Sequence, residues 1–482
     1  MLAWRALGES VGVELTSHSA DEMAELAELA ELAAAPHSSD AAAQAMQELG
    51  ALLRAHSLVV FRGGGGGGAR RLASPARLRA LYTAAHSAMG MACVPPQAAP
   101  PAHAPPNLRG AFFPGFPETN ILGASPDVRD WHGLTGYIEP TPWWEKASCQ
   151  FHHDGGFSST SPPPPALVAM GCERTPGRGG GVLHSTDWGD RGAAGAQLRF
   201  APGATLFYST KLAVRLAADR TPALLLRARR LACVYRAGFG NVVEGEYPRM
   251  RPSALVPRAP PPSRNKPAAA AATATAAATA QGGTGAGAAP PGARSVTDMG
   301  FRSLEHYAFG NSCGGEPPSS SSSSSSSPSP ASALYRSAGA AQGAAGQGMR
   351  EFRHALIQTD GATGEEYAMV HALCLEYLEE EGEGGGEEGA RALGWAESME
   401  LIEALLAPAC RPPHILAMDW RPGDVVLFDN RSVQHSVTPT HQNGDELCYA
   451  ALGEERLLTR TAMQPSWVPS QPRTSQPPKP KL

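Results

Sequence analysis

The chain has 482 residues, with 40 Lys and Arg against 45 Asp and Glu, a net charge of −5 and a pI near 6.3, so nothing in its charge argues for nucleic acid as a partner. Length alone permits two or three domains. There are 53 Gly and 44 Pro against only 6% aromatics, and much of the Ala, Pro, Ser and Gly sits in runs unable to bury a core, which reduces the expectation to one domain of ordinary to large size.

The eight cysteines are scattered without a C-x-x-C or a framework spacing, which favours free thiols in a reducing compartment. No apolar run reaches the roughly 18 residues of a membrane span, so no membrane partner is expected. The start, Met1 to Ser10, lacks the basic lead and apolar core of a secretory signal. A cytoplasmic location is the expectation, and a short organelle transit peptide remains compatible with it.

In chain order, Val11 to Leu15 alternates as a strand does, and Ser19 to Leu32 places Met23, Leu26, Leu29 and Leu32 at helical spacing. A helix is predicted over Ala41 to Ala55. The β-branched run Ser57 to Arg62 reads as a buried strand closed by the glycines 63 to 68. Arg77 to Met89 reads as a helix and Phe112 to Trp144 as an irregular aromatic region. Ala166 to Cys172 is a predicted strand, 177 to 200 a Gly-rich insertion, and Thr205 to Tyr208 a strand again. Leu212 to Arg230 is a predicted helix broken near Pro222, followed by the strand Leu231 to Tyr235.

From 255 to 348 the chain turns to Ala, Thr, Gly and Pro tracts and nine consecutive serines, Ser319 to Ser327. Such a segment buries too little apolar area to offset its ordering entropy, so a long disordered insertion is expected. Order resumes at Phe352 to Gln358 and the turn Thr359-Asp360-Gly361. Helical spacing is read over Tyr367 to Leu378, and a helix over Trp395 to Leu406. Pro422-Gly423-Asp424 reads as a hairpin turn leading into the buried strand Val425 to Phe428. The expected domain runs from 10 to 254 and resumes over 349 to 462, with 463 to 482 a disordered tail.

The chemistry centres on Phe151-His152-His153-Asp154. On an extended strand, residues two apart share a face, so the His152 imidazole and the Asp154 carboxylate converge while His153 points away. A second histidine on that face would complete the two-His, one-carboxylate set of a non-haem Fe(II) site. With 15 His and 45 acidic residues, roughly one H-x-D/E pair is expected by accident, so the pair needs its context. That context is the block Arg421-Pro422-Gly423-Asp424 through Asp429-Asn430-Arg431 to His435.

With these blocks the sequence resembles the TauD/TfdA branch of Fe(II)- and 2-oxoglutarate-dependent dioxygenases, over about 10 to 254 and 350 to 455. Leu58 to Arg62 is similar to the family's early core strand, Phe151 to Asp154 to its W-H-x-D, and 421 to 435 to its W-R-P-G-D…W-D-N-R…H. The resemblance implies an α+β, mainly β fold: a double-stranded β-helix (jelly roll) core with flanking helices. It implies Fe(II) on His152, Asp154 and His435, with 2-oxoglutarate chelating two further positions and O2 taking the last. The implied reaction hydroxylates a small-molecule substrate and releases succinate and CO2.

The family's G-x-T-L pattern matches Gly203-Ala204-Thr205-Leu206, which assigns Thr205 to the cosubstrate; Gly181-Val182-Leu183, the competing alignment, has no Thr. The arginine that anchors the far carboxylate of 2-oxoglutarate is expected at Glu446, where an acid would repel it. Arg456 is the predicted replacement, with Arg460 as the other downstream arginine. Cys448-Tyr449-Ala450 stands where taurine-oxidising members carry a sulfonate-binding arginine, which disfavours a taurine-like substrate. Two readings compete with an active dioxygenase: a metal-binding protein of the same fold with lost or altered cosubstrate use, and structural or Zn2+-binding roles for the triad.

Overall fold

The structure, a computed structural model, describes residues 4–8, 10–15, 28, 40–62, 73–91, 93–94, 112–113, 115–138, 151–154, 165–175, 181–184, 197–201, 203–235, 294–295, 352–372, 375, 377–382, 390–437, 456–462 and 464–465. A nine-stranded sheet dominates. Its order is Trp4–Ala6, Val13–Leu15, Leu58–Phe61, Val425–Asp429, Leu167–Arg174, Arg456–Thr461, Phe116–Trp131 and Phe112–Phe113, with Leu134–Ile138 paired to Phe116–Trp131. Its pairs are antiparallel except Val13–Leu15 with Leu58–Phe61. A three-stranded sheet, Leu416–Met418, Thr205–Ser209 and Val433–Val437, faces it.

Alternation along the strands builds the layers. Val425 and Leu427 pack with Val59, Phe61, Leu167 and Ala169 against helices Asp40–His56 and Pro75–Ala88. Val426 and Phe428, one residue out of step, pack with Leu58, Val60, Val168, Met170 and Leu458 against Phe207, Met418 and Val433 of the smaller sheet. The smaller sheet's other face, Leu206 and Tyr208, is covered with residues of helices Thr210–Arg220, Pro222–Ala228 and Trp395–Leu406 and of the Leu231–Tyr235 strand. The fold is therefore a helix-flanked sandwich of two sheets with its central core between them. No helix among the described residues is long and apolar enough to cross a membrane.

Buried ion pairs fasten the predicted blocks to one another. Arg62 donates to Asp424 Oδ2 at 2.7 Å and to Glu14 Oε2 at 3.1 Å, joining three segments of the large sheet. The Asp429 and Arg431 side chains form a two-pronged pair at 2.8 and 2.9 Å, with both residues buried. Such a fork is shape-specific as well as charged, and it stiffens the turn before His435.

Several expectations change in tertiary context. Phe112 to Trp144, read as irregular, contains the bulged strand Phe116–Trp131 and the hairpin partner Leu134–Ile138, whose shifting register hides the period-2 signal. Tyr367 to Leu378, read as helical, begins instead in the strand Glu366–Ala368 and ends in the strand Tyr377–Glu380. Tyr367, Met369, Val370, Leu375 and Leu378 are all buried, so apolar positions that read as one face of a helix are enclosed around two strands instead. The turn at Pro422-Gly423-Asp424 is no hairpin: Leu416–Met418 before it lies in the small sheet and Val425–Asp429 after it in the large one. Within 177 to 200, Gly181–His184 pairs with Gln197–Phe200. The expected helix over 19 to 32, apart from residue 28, lies outside the described residues. So do the expected disordered insertion over 255 to 348, apart from Arg294–Ser295, and most of the 463 to 482 tail.

Candidate active site

His435 sits in the Val433–Val437 strand, in register with Phe207 of Thr205–Ser209. Val433 belongs to the core between the sheets, so His435, two residues on, shares that inward face. Thr205 and Phe207 share it for the same reason. From the large sheet, Leu458 belongs to the same core, which puts Arg456 and Arg460 on the inward face as well. Two sheets thus aim one histidine, one threonine and two arginines into a common interior.

The remaining groups arrive on Phe151–Asp154. The His152 N–H donates to the His435 carbonyl at 3.0 Å and the His435 N–H to the His152 carbonyl at 3.1 Å, an isolated antiparallel bridge. This bridge delivers the predicted trio together: one ligand atom from each of His152, Asp154 and His435 lies within 4.8 Å of the others. His152 Nε2 is 3.8 Å from Asp154 Oδ1, and His435 Nε2 is 3.9 Å from Asp154 Oδ2. His153 points the other way, its Nδ1 3.1 Å from the Val370 carbonyl oxygen and 3.4 Å from Gln434 Nε2.

Electrostatics prepare the trio for a cation. Burial pushes the Asp154 carboxyl up, but the Arg460 guanidinium and the surrounding imidazoles outweigh it and hold the group at about 2. Burial, assisted by His152, lowers the His435 imidazole to about 3. An ionised carboxylate and a neutral imidazole are the protonation states in which these side chains ligate metal. Arg460 Nη1 donates to Asp154 Oδ1 at 2.8 Å, while Oδ2 is buried and has no hydrogen-bond partner among the described residues. The donor set and the orphaned oxygen fit a divalent first-row metal.

Thr205 and Arg456, proposed from widely separated stretches, meet. Arg456 donates through Nε to the Gly203 carbonyl at 2.9 Å and through Nη2 to Thr205 Oγ1 at 3.4 Å. Glu446 and Cys448 to Ala450 lie outside the described residues. A second guanidinium stands at the site in Arg460, engaged with Asp154 Oδ1.

Sequence reading gave no role to several residues here. The Asn430 side chain accepts from the Asp154 N–H at 2.8 Å and donates to the Asp154 and Pro165 carbonyls at 2.9 and 2.8 Å. Asn120 accepts from Arg460 Nε at 3.2 Å. His371, 5% exposed, has its ring centroid 5.2 Å from that of His152. Asn430 was visible inside the D-N-R block, although nothing local names its partner. His371 was concealed by the helical reading of its segment.

A family model described as "Taurine catabolism dioxygenase TauD, TfdA family" matches residues 29–452, a span that takes in His152, Asp154 and His435 and ends short of Arg456. A (S)-phenoxypropionate/alpha-ketoglutarate-dioxygenase of Sphingobium herbicidovorans is 52% identical over 44 residues, 9% of this chain and 15% of that one. An alpha-ketoglutarate-dependent xanthine dioxygenase, xanA, of Emericella nidulans is 41% identical over 59 residues, 11% of this chain and 16% of that one. The chain therefore spans about a sixth of the length of the curated relatives it matches. A solved taurine dioxygenase from Burkholderia xenovorans superposes with a TM-score of 0.42 at 14% identity, covering 96% of this chain and 89% of that one. The match over 29–452 embraces both segments that the His152–His435 bridge brings together, and it establishes that the chain belongs to the TauD/TfdA dioxygenase family.

Proposed function

We propose that the protein is an Fe(II)- and 2-oxoglutarate-dependent dioxygenase that hydroxylates a small organic substrate. The observation that carries this is the convergence of two imidazoles and one carboxylate within 4.8 Å in the interior of a sandwich of two sheets. His152, Asp154 and His435 would hold the metal, and the core fold would be the jelly roll of the family. Arg456 and Thr205 would take the far carboxylate of 2-oxoglutarate, a planar anion suited to a guanidinium beside a hydroxyl. Iron and cosubstrate, once bound, would supply the oxidative chemistry: O2 would give one oxygen atom to succinate, formed from 2-oxoglutarate with loss of CO2, and the other to the substrate, whose C–H would become C–OH.

The chain's own residues do the positioning. Asn430 holds the Asp154 peptide, and the His152–His435 bridge sets the spacing of the imidazoles. Arg460 occupies Asp154 Oδ1 and leaves Oδ2 to the metal. Phe207 and Phe428, with ring centroids 6.1 and 5.1 Å from that of His435, keep water from its flank.

Anaerobic addition of Fe(II) and then 2-oxoglutarate should produce the charge-transfer band of the chelate, and admitting air should release succinate. His435→Ala should remove metal binding, whereas Arg456→Ala should leave metal binding intact and remove the band. Absence of both band and succinate in the wild type would refute the proposal. Metal binding without a band would favour the second reading, a metal-binding protein with altered cosubstrate use, which rests on Glu446 in place of the family's arginine.

A further inference from the structure

Thr205 Oγ1 receives two donors among the described residues. Trp420 Nε1 donates to it at 2.9 Å, and Arg456 Nη2 reaches it at 3.4 Å. An indole N–H and a guanidinium can only donate, and a hydroxyl has two lone pairs and one proton. With both lone pairs engaged, the Thr205 proton can serve neither neighbour and must be presented to a further acceptor. Thr205 is 2% exposed, so bulk water does not supply that acceptor.

Trp420 is held in place independently of any ligand. The strand before it pairs Met418 with Thr205. Asp419 then accepts from the Ala201 N–H at 2.7 Å, and its carbonyl accepts from Arg62 Nη1 at 2.9 Å. Beyond Trp420, Asp424 closes the turn by accepting from the Arg421 N–H at 2.9 Å and is itself bound by Arg62 at 2.7 Å. The indole, 5% exposed, packs in the core between the two sheets. Its N–H is therefore fixed by groups on both sides of it in the chain.

We propose that Trp420 is a positioning residue for the cosubstrate: its indole N–H orients the Thr205 hydroxyl so that the hydroxyl proton faces a carboxylate beside Arg456. This rests on the reading of Thr205 and Arg456 as the 2-oxoglutarate anchor. A donor oriented before binding loses less freedom when the anion arrives, so Trp420 acts on affinity without touching the ligand.

The test is calorimetric binding of 2-oxoglutarate, without O2, to the full-length Mn(II)-loaded chain. Thr205→Val and Arg456→Ala should weaken binding, and Thr205→Ser should restore it relative to Val. Trp420→Phe should weaken it about threefold to tenfold, the contribution of one neutral hydrogen bond. Trp420→Phe combined with Thr205→Val should be no weaker than Thr205→Val alone. Mn(II) affinity should stay at the wild-type level throughout. If Thr205→Val weakens binding but Trp420→Phe does not, or if the two effects add, the proposal fails and the anchor reading stands. If neither Thr205→Val nor Arg456→Ala has an effect, both fail. If Trp420→Phe does not fold, β-(3-benzothienyl)alanine at position 420 keeps the indole shape without the N–H and is held to the same two outcomes.

Discussion

Asn430→Ala isolates the side chain that fastens Asp154. Asn430 is fully buried, and its amide makes three hydrogen bonds of 2.8, 2.9 and 2.8 Å, two to the Asp154 peptide and one to the Pro165 carbonyl. Truncation removes all three and leaves backbone groups buried without those partners. At about 1 kcal/mol per bond plus the penalty for stranded groups, the expected loss of stability is about 3–5 kcal/mol. The freed Asp154 peptide should also lower Mn(II) affinity by about tenfold or more, as for partners that orient metal ligands.

Asn430→Asp adds a sharper check. It keeps the acceptor for the Asp154 N–H but turns the two donor contacts into oxygen facing oxygen. At neutral pH it should be at least as damaging as alanine, and it should recover in part on acidification, when the protonated carboxyl can donate again. Urea unfolding followed by tryptophan fluorescence, with Mn(II) titration of the folded protein, reads both effects. An Asn430→Ala protein within about 1 kcal/mol of wild type and with undiminished Mn(II) affinity would refute the reasoning.

Two further outcomes follow from the packing. His86 is fully buried, and burial, outweighing the raising effect of the Met91 backbone, lowers it from 6.5 to about 4. Its folded value lies below its unfolded one, so the stability tied to its neutrality is complete above pH 6.5 and is lost as the pH falls towards 4. The loss amounts to about 3 kcal/mol, and His86→Phe should flatten the stability curve over that window by about one proton; an unchanged slope would contradict this. Gly123, with φ at +113°, lies so close to the strand carrying Arg456 that an added Cβ would fall 1.9 Å from the Arg456 carbonyl oxygen. Gly123→Ala should therefore weaken 2-oxoglutarate binding while sparing Mn(II) binding, since it displaces Arg456 and leaves the His152–His435 bridge intact; loss of both together would place the damage elsewhere.

Much of the framework was legible where the signal is local. The helix Trp395–Leu406 follows its apolar spacing, and the strands Leu58–Phe61 and Val425–Asp429 follow their β-branched runs. Pro222 starts a new helix after Arg220, as expected of a residue that cannot continue the preceding one. Local pattern misled where burial on all sides removes the polar face that distinguishes helix from strand, as from Tyr367 to Leu378, and so hid His371.

The sequence by itself determined the residue types of the site and their local order. His152 and Asp154 are two apart, Thr205 comes two residues after Gly203, and His435 follows the apolar run Val425 to Phe428. Which groups meet was decided by sheet register, a property of segments hundreds of residues apart. A slip of one residue in Arg456–Thr461 would turn Arg456 and Arg460 away from the interior, and the same slip in Thr205–Ser209 would withdraw Thr205 from Trp420. Tertiary pairing alone set Asn430 on the Asp154 peptide, Arg460 on its carboxylate and Trp420 on the Thr205 hydroxyl, because hydrogen-bond partners across strands carry no mark in the local sequence of either.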